Sequence, residues 1–360
     1  MYTKELRPRK FSDVIGQEKN VNMAKAWLSS ENPPDAYLFK GASGGGKTSM
    51  VQIMAMSLNC KELTPEGDPC CKCPSCLSVI EEKFDRGIQR LDGGASSKKG
   101  VVDLSNKSAI RSLVGDKNNI FIIEEVDRLS DSAKDSLLKT LEEVTPNTYW
   151  FILSMKPSGL NQALSSRCKV LSFYPMKKKD ILLGLKATLE RAGVWSKIGT
   201  RLIPKTFFDV LATIAGSCKG NFRQALQDTE TALQGHLYTI QDVLGVLDVV
   251  DTHSVQDALK RLLERSITGV ESVRQIGVED FLRASYDILT EFAIVQAGGE
   301  LDDESLGEFV AYLKTLNPNV VEGLTRTITS CINSHDNPHL LNLTLNHLVH
   351  YTKIDFKEGN

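Results

Sequence analysis

No stretch of this 360-residue chain reaches the roughly 18–20 consecutive apolar residues needed to cross a bilayer. The opening residues, Met1-Tyr2-Thr3-Lys4-Glu5-Leu6-Arg7-Pro8, lack the apolar core of a signal peptide. Both absences argue against membrane insertion and export, and lead to the expectation of a reducing cytoplasm. In that compartment eight cysteines are a poor disulfide framework. An excess of one charge is also missing: 43 Lys and Arg against 45 Asp and Glu leave a net charge of −2. That argues against a protein coating nucleic acid with a broadly basic surface, although a handful of cations on one face suffices for phosphate contacts. No internal repeat is present, so the chain is not a repeat array.

What is present fits an ordinary globular protein, with 41% hydrophobic and 24% charged residues and length for about two to three domains. Residues 36–60 read as a buried strand (Ala36-Tyr37-Leu38-Phe39), a glycine-rich turn, and a helix starting near Lys47. Short apolar runs follow at Ile88–Leu91, Ile120–Ile123, Trp150–Leu153 and Val170–Phe173. Between them lie helical patterns, such as Ala133, Leu137, Leu138 and Leu141 on one face. Buried strands alternating with amphipathic helices predict an α/β domain whose parallel sheet is covered on both faces. After about residue 175 the strand pattern ends. Met176–Ala192 reads as a charged amphipathic helix, and Thr206–Leu233 as helical pieces broken at Gly216 and Gly220. From about 244 the chain is helical, with weak points at Gly298-Gly299 and Asn317-Pro318. The expected domains are therefore 1–175 (α/β), 176–243 (small and helical) and 244–360 (helical). The Gly93–Gly100 stretch reads as a loop.

Gly41-Ala42-Ser43-Gly44-Gly45-Gly46-Lys47-Thr48 fits the phosphate-loop pattern between a strand and a helix. Glycines let backbone N–H groups wrap phosphates, Lys47 reaches the β- and γ-phosphates, and Thr48 binds Mg²⁺, with Ser49 following. The helix N-terminus adds its positive dipole end. The chemistry points to ATP. Ile120-Phe121-Ile122-Ile123-Glu124-Glu125 ends a strand in two acids, which places Glu124 near Mg²⁺ and Glu125 near the attacking water. Two arginines, Arg167 in Ser166-Arg167-Cys168 and Arg223 in Gly220-Asn221-Phe222-Arg223, suit γ-phosphate recognition because the guanidinium is permanently charged and donates several bonds. Alone, either arginine reads as a surface salt-bridge partner; beside a phosphate loop the functional reading prevails.

Cys60, Cys70, Cys73 and Cys76 form C-x9-C-x2-C-x2-C, with Cys71 inside the knuckle. Thiolates at this spacing close a tetrahedral Zn²⁺ site with no position left for water, which makes the site structural. It would hold together an insertion at 60–77 that has little apolar core of its own. A redox pair is the rival reading. Cys70 is preferred to the adjacent Cys71 for its regular spacing to Cys73. Cys168, Cys218 and Cys331 are isolated and read as packing residues.

Together these motifs resemble the gamma/tau ATPase subunits of bacterial DNA polymerase III and, more broadly, replication factor C subunits. The likeness runs through most of residues 1–245 and includes Leu6-Arg7-Pro8, Phe11, Asp13, Val14 and Gly16-Gln17. It continues through Tyr37-Leu38-Phe39, Leu58-Asn59-Cys60, Leu137–Glu143 and the Ser-Arg-Cys at 166–168. The resemblance implies an AAA+ domain with a zinc module, a helical lid and an all-α collar. It implies adenine contacts from Leu6, Arg7, Pro8, Val14, Ile15 and Gln17, γ-phosphate sensing by Arg223, and Arg167 donated to a neighbouring subunit. It also implies a clamp-loader motor working with a sliding clamp, with other loader subunits in a ring or spiral (a pentamer is expected) and with primer–template DNA in the cytoplasm. Lys98, Lys99, Lys107 and Arg111 are candidate DNA contacts. The alternatives are an ATP-holding scaffold subunit and another DNA motor such as a branch-migration helicase. The chain departs from the family at Glu124, where Asp is usual, and at Ser154-Met155-Lys156, where a Thr or Asn usually positions water. The family's long tail is likewise not expected after the third domain, which is helical. These departures imply a divergent lineage, with a virus among the candidate sources.

Overall fold

The computed structural model of the chain describes residues 2–83, 87–95, 98–109, 118–156, 162–195, 204–247, 252–264, 267–301 and 306–333. Each of the five apolar runs forms a strand: β1 (Ala36–Lys40), β2 (Ile88–Asp92), β3 (Asn119–Glu124), β4 (Thr148–Ser154) and β5 (Lys169–Ser172). They make one parallel sheet in the order β2-β3-β4-β1-β5. A parallel ladder needs crossover connections, and the helices that supply them cover both faces. Alternate residues of each strand therefore enter opposite cores. Tyr37, Phe39, Ile122, Phe151 and Leu153 pack with Met50, Ile53 and Met54 of helix α2 (Lys47–Asn59), behind helix α1 (Glu18–Leu28). Leu38, Phe121, Ile123, Trp150 and Ile152 pack on the other side. There they meet Val101 and Leu104 of α4 (Lys98–Ala109) and Ala133, Leu137 and Leu141 of α5 (Asp131–Glu142). Short helix α3 (Pro74–Ile80) closes the cysteine segment, and α6 (Gln162–Ser166) precedes β5.

The loop expected at Gly93–Gly100 is shorter than its composition implies, because Lys98–Gly100 already open α4. Burial of Val101 and Leu104 against the sheet outweighs the helix-weakening Gly100, whose cost is only about 1 kcal/mol.

Further along the chain, the described residues form α7 (Lys178–Arg191), α8 (Pro204–Ser217), α9 (Phe222–Gln234), α10 (Ile240–Val246), α11 (Thr252–Leu263), α12 (Ile267–Ile276), α13 (Val278–Gln296), α14 (Gly307–Thr315) and α15 (Pro318–Asn333). The chain divides into two compact units. The first comprises Met1–Met176, Leu183–Ala192 and Gly220–Gln227; the second comprises Lys177–Leu182, Gly193–Lys219 and Asp228–Asn360. The second unit has its own core, in which Leu259, Phe281, Leu289, Phe292, Phe309 and Ile328 are buried. Among the described residues no helix is long and apolar enough to cross a membrane.

Candidate functional site

The loop between β1 and α2 bends through three glycines with positive φ: Gly41 (+145°), Gly44 (+82°) and Gly46 (+95°). Side chains are shut out sterically as well. A Cβ on Gly41 would lie 2.2 Å from the Phe173 carbonyl oxygen, and one on Gly44 only 1.8 Å from Asn221 Oδ1. Lys47, the first residue of α2, is 7% exposed. Its Nζ donates to the carbonyls of Gly41 and Ala42, at 2.6 Å each. Burial and the neighbouring Arg223 push the Lys47 pKa below its ordinary value, against a smaller upward pull from Asp127.

Glu124 closes β3, and its carboxylate pairs with Arg90 on the adjacent strand β2. The next residue, Glu125, has φ +50°, a left-handed conformation that costs a non-glycine residue free energy. Its carboxylate accepts a 2.6 Å hydrogen bond from Arg128. Two glycines let the backbone after β2 reach this turn. Gly93 N donates to Glu124 O at 2.8 Å, and a Cβ on Gly94 would meet Arg128 Nη1 at 2.9 Å. Beyond β4, the Met155 amide donates to Asp127 Oδ1 at 2.9 Å. Ser154 is fully buried, and its Oγ has no hydrogen-bond partner among the described residues.

These pieces enclose a cavity of about 340 Å³, all of it within the first unit. The loop contributes Ser43, Gly44, Gly45, Gly46, Lys47, Thr48 and Ser49. Leu6, Arg7, Pro8, Val14, Ile15 and Gln17 of the N-terminal strap form another part of the wall, and Glu124, Glu125 and Arg223 complete the sequence-predicted set. Gly41 stands behind the wall, where its carbonyl holds Lys47. Arg167 lies outside the cavity; it pairs with Glu142 and donates to the Ala163 carbonyl at 3.0 Å. Sequence reasoning missed Arg90, Leu153, Met155, Met176, Thr188, Phe222 and Leu226, which also line the cavity. Leu226 lies three residues after the predicted Arg223 on the same helix, so helix phase was a usable signal for it. Arg90 carried none.

The electrostatics of the wall favour an anion. Burial lowers the Arg7 pKa; Glu82 opposes this, and Arg223 and Arg90 add to it. Four cationic residues, Arg7, Lys47, Arg90 and Arg223, line the cavity beside the glycine loop and a helix N-terminus, with Asp13, Glu124 and Glu125 as its acids; Arg90 is paired with Glu124 and Arg7 with Glu82. A phosphate chain is the group that such a set accommodates. Thr48 and Glu124 supply a hydroxyl and a carboxylate on the same wall, the hard oxygen donors that Mg²⁺ takes.

In the cysteine segment, the Sγ atoms of Cys60, Cys70, Cys73 and Cys76 all lie within 4.8 Å of one another. A tetrahedral Zn–thiolate site has sulfur–sulfur edges of about 3.8 Å, from Zn–S bonds near 2.3 Å, so the four sulfurs fit one ion after a small contraction. The Cys70 and Cys73 amides point at the sulfurs of Cys60 and Cys70, at 3.2 and 3.3 Å. Cys71, at φ +58°, turns its thiol away to the carbonyls of Pro69 and Arg9. Cys168 and Cys218 are buried as expected of packing residues; the side chain of Cys331 lies outside the described residues. Among the basic residues, Lys99 and Lys107 are exposed on α4. The Lys98 side chain and all of Arg111 lie outside the described residues.

Residues 16–177 match the family described as DNA polymerase III, delta subunit. The chain is 27% identical to DNA polymerase III subunit tau of Bacillus subtilis over 73% of its own length and 45% of that protein. It is 28% identical to subunit gamma of Buchnera aphidicola over 79% of each, and 27% identical to subunit tau of Escherichia coli over 86% of itself and 47% of that protein. It thus spans about half the length of the tau subunits it matches. Among solved structures, the RuvB Holliday junction branch migration motor of Thermotoga maritima aligns with a TM-score of 0.47 at 16% identity, over 83% of this chain and 88% of that one.

Proposed function

We propose that this chain, similar to the gamma and tau subunits of DNA polymerase III, is the ATP-hydrolysing motor subunit of a DNA sliding-clamp loader. The observation that carries the proposal is the cavity in which the phosphate loop, the acid pair and Arg223 meet the N-terminal strap. In this reading Lys47 leaves its two loop carbonyls and holds the β- and γ-phosphates. Thr48 and Glu124 hold Mg²⁺, and Glu125 orients the attacking water. Arg223 senses the γ-phosphate, while Leu6–Pro8, Val14, Ile15 and Gln17 hold adenine. Bound MgATP supplies a phosphoanhydride whose γ-phosphate is activated by the metal. Glu124 carries one methylene more than the usual Asp, and Arg90 holds its carboxylate at the strand edge. Ser154 is buried away from the cavity, so the water-positioning role falls to Glu125 without help from that position.

In the same reading the insertion at 60–77 is a structural zinc module, residues 176–243 form a lid and residues 244–360 a collar. Arg167, exposed and outside its own chain's cavity, serves the site of a neighbour in a ring or spiral, expected to be a pentamer, in the cytoplasm. ATP binding favours the clamp-opening assembly, which requires that ATP bind that state better than the closed one. Primer–template DNA then triggers hydrolysis and release.

The test is ATP turnover by the chain with its partner subunits, with and without clamp and primed DNA. Stimulation by both together is the expected result. Stimulation by DNA alone identifies a translocating motor, and tight ATP binding without turnover identifies a scaffold subunit.

A further inference from the structure

One buried acid joins the cysteine cluster to the nucleotide strap. Asp68 lies between Cys60 and Cys70 in a turn closed by Thr64, whose amide donates to Asp68 O at 2.9 Å and whose Oγ1 accepts from Asp68 N at 3.2 Å. It is 4% exposed, and its carboxylate faces the strap. Oδ1 accepts from Phe11 N at 2.7 Å and Oδ2 from Ser12 Oγ at 2.8 Å, with Lys25 Nζ 4.0 Å from Oδ1. A second tie runs from the Cys71 thiol to Arg9 O at 3.5 Å. Third, the buried Phe11 ring packs in the same core as Cys73 and Cys76, under Lys25 Nζ at 5.5 Å.

The strap needs these ties. Between Leu6 and Gln17 its only regular element is the turn Phe11–Asp13, so its amides must find partners elsewhere. The Arg9 and Lys10 amides go to Asp13, itself paired with Arg191 at 2.7 Å; the Phe11 amide goes to Asp68. On either side of this anchored stretch, Leu6–Pro8 and Asp13–Ile15 line the cavity.

We propose that Asp68 is a positioning residue for base recognition. It fastens the strap to the cysteine module, so that the module, remote from the phosphates, sets how well the pocket holds a nucleoside triphosphate beyond its phosphate chain. The proposal rests on the nucleotide reading above.

The experiment compares the Kd of ATP and of inorganic tripolyphosphate, both with Mg²⁺, for the wild-type chain, Asp68→Ala and Ser12→Ala. Losing charge-assisted bonds to a buried carboxylate is expected to weaken ATP about tenfold in Asp68→Ala, with tripolyphosphate changed less than about twofold on the same scale. Ser12→Ala, which removes one of the bonds, should move ATP about threefold in the same direction. Equal weakening of both ligands in Asp68→Ala, or no change in either, overturns the proposal. If a thermal melt shows Asp68→Ala unfolded, Ser12→Ala decides: selective loss of ATP sustains the proposal and unchanged ATP binding overturns it. Wild-type chain that binds tripolyphosphate but not ATP also overturns it. Failure of the nucleotide reading itself is recognised separately, because wild-type chain then binds neither ligand.

Discussion

Lys47 has its ammonium turned back onto the carbonyls of Gly41 and Ala42, so phosphate oxygens must replace those bonds. The alanine variant removes the group and is expected to abolish detectable ATP binding in a calorimetric titration. A pH dependence follows from the depressed pKa of Lys47. Burial and Arg223 favour the neutral amine, whereas a bound polyanion favours the ammonium. Binding therefore takes up protons, and ATP affinity falls as pH rises. The decline should begin at pH values where a lysine titrating at 10.5 would still be charged. An affinity that stays flat until that value contradicts the argument. Glu125 poses a different case, since Arg128 bonds one oxygen of its carboxylate and the second oxygen remains the one to accept a proton from water in the proposed reaction. Glu125→Gln keeps the shape but cannot take the proton. ATP should stay bound while turnover drops about 10²–10⁴-fold, the usual contribution of a general base; quenched-flow measurement of phosphate release reads this directly.

The cysteine module tests how far an element depends on one ion. Between Cys60 and Cys76 the side chains that reach the shared core are mainly Cys70, Cys73 and Cys76 themselves, so the segment has few apolar contacts to hold it without metal. Metal analysis should find about one zinc per chain, as a four-thiolate site requires, and chelation should lower the melting temperature. Cys73→Ser should lose the ion, whereas Cys71→Ser should retain it, because the Cys71 thiol points at backbone carbonyls. A folded, metal-free protein would overturn the assignment. The choice between those adjacent cysteines is instructive about what a sequence carries. Spacing favours Cys70 only weakly, and the left-handed turn at Cys71 that separates the two thiols is a tertiary outcome. The inner strands of the sheet, by contrast, were legible, because a parallel sheet covered on both faces forces continuous apolar runs such as Tyr149–Leu153, whereas the edge strand β2 mixes Ile88 and Leu91 with polar residues. The phosphate loop was legible because its glycine conformations admit few alternatives. Arg90 was not: it reaches Glu124 through pairing of β2 with β3, across 34 residues of chain, and no local pattern encodes that register. The helical start of α4 was obscured by Gly100 and by the glycines and serines that precede it in the sequence, since its burial depends on Val101 and Leu104 meeting the sheet.

Arg167 decides whether the working site is formed by one chain or by two. In the isolated chain it is exposed, lies outside the cavity and is held by Glu142 and the Ala163 carbonyl, so any role at a γ-phosphate needs either a large movement or a neighbour. A guanidinium supplied in trans is worth about 10³–10⁵ in rate in comparable phosphoryl transfers, and its loss leaves binding intact. Arg167→Ala should accordingly bind ATP normally and lose stimulated turnover, while Lys47→Ala should lose both. Mixing the two variants separates the cis and trans arrangements. A junction in which the Arg167→Ala chain supplies the pocket and the Lys47→Ala chain supplies the arginine has every group it needs. Where copies of this chain adjoin one another, random mixing of equal amounts makes up to about a quarter of junctions competent, one half times one half, for a head-to-tail interface. Turnover in the mixture should therefore rise well above either variant alone, and it should fall again on dilution below the assembly concentration. If the arginine serves its own chain, every site in the mixture still lacks one essential group, and the mixture stays as inactive as its components.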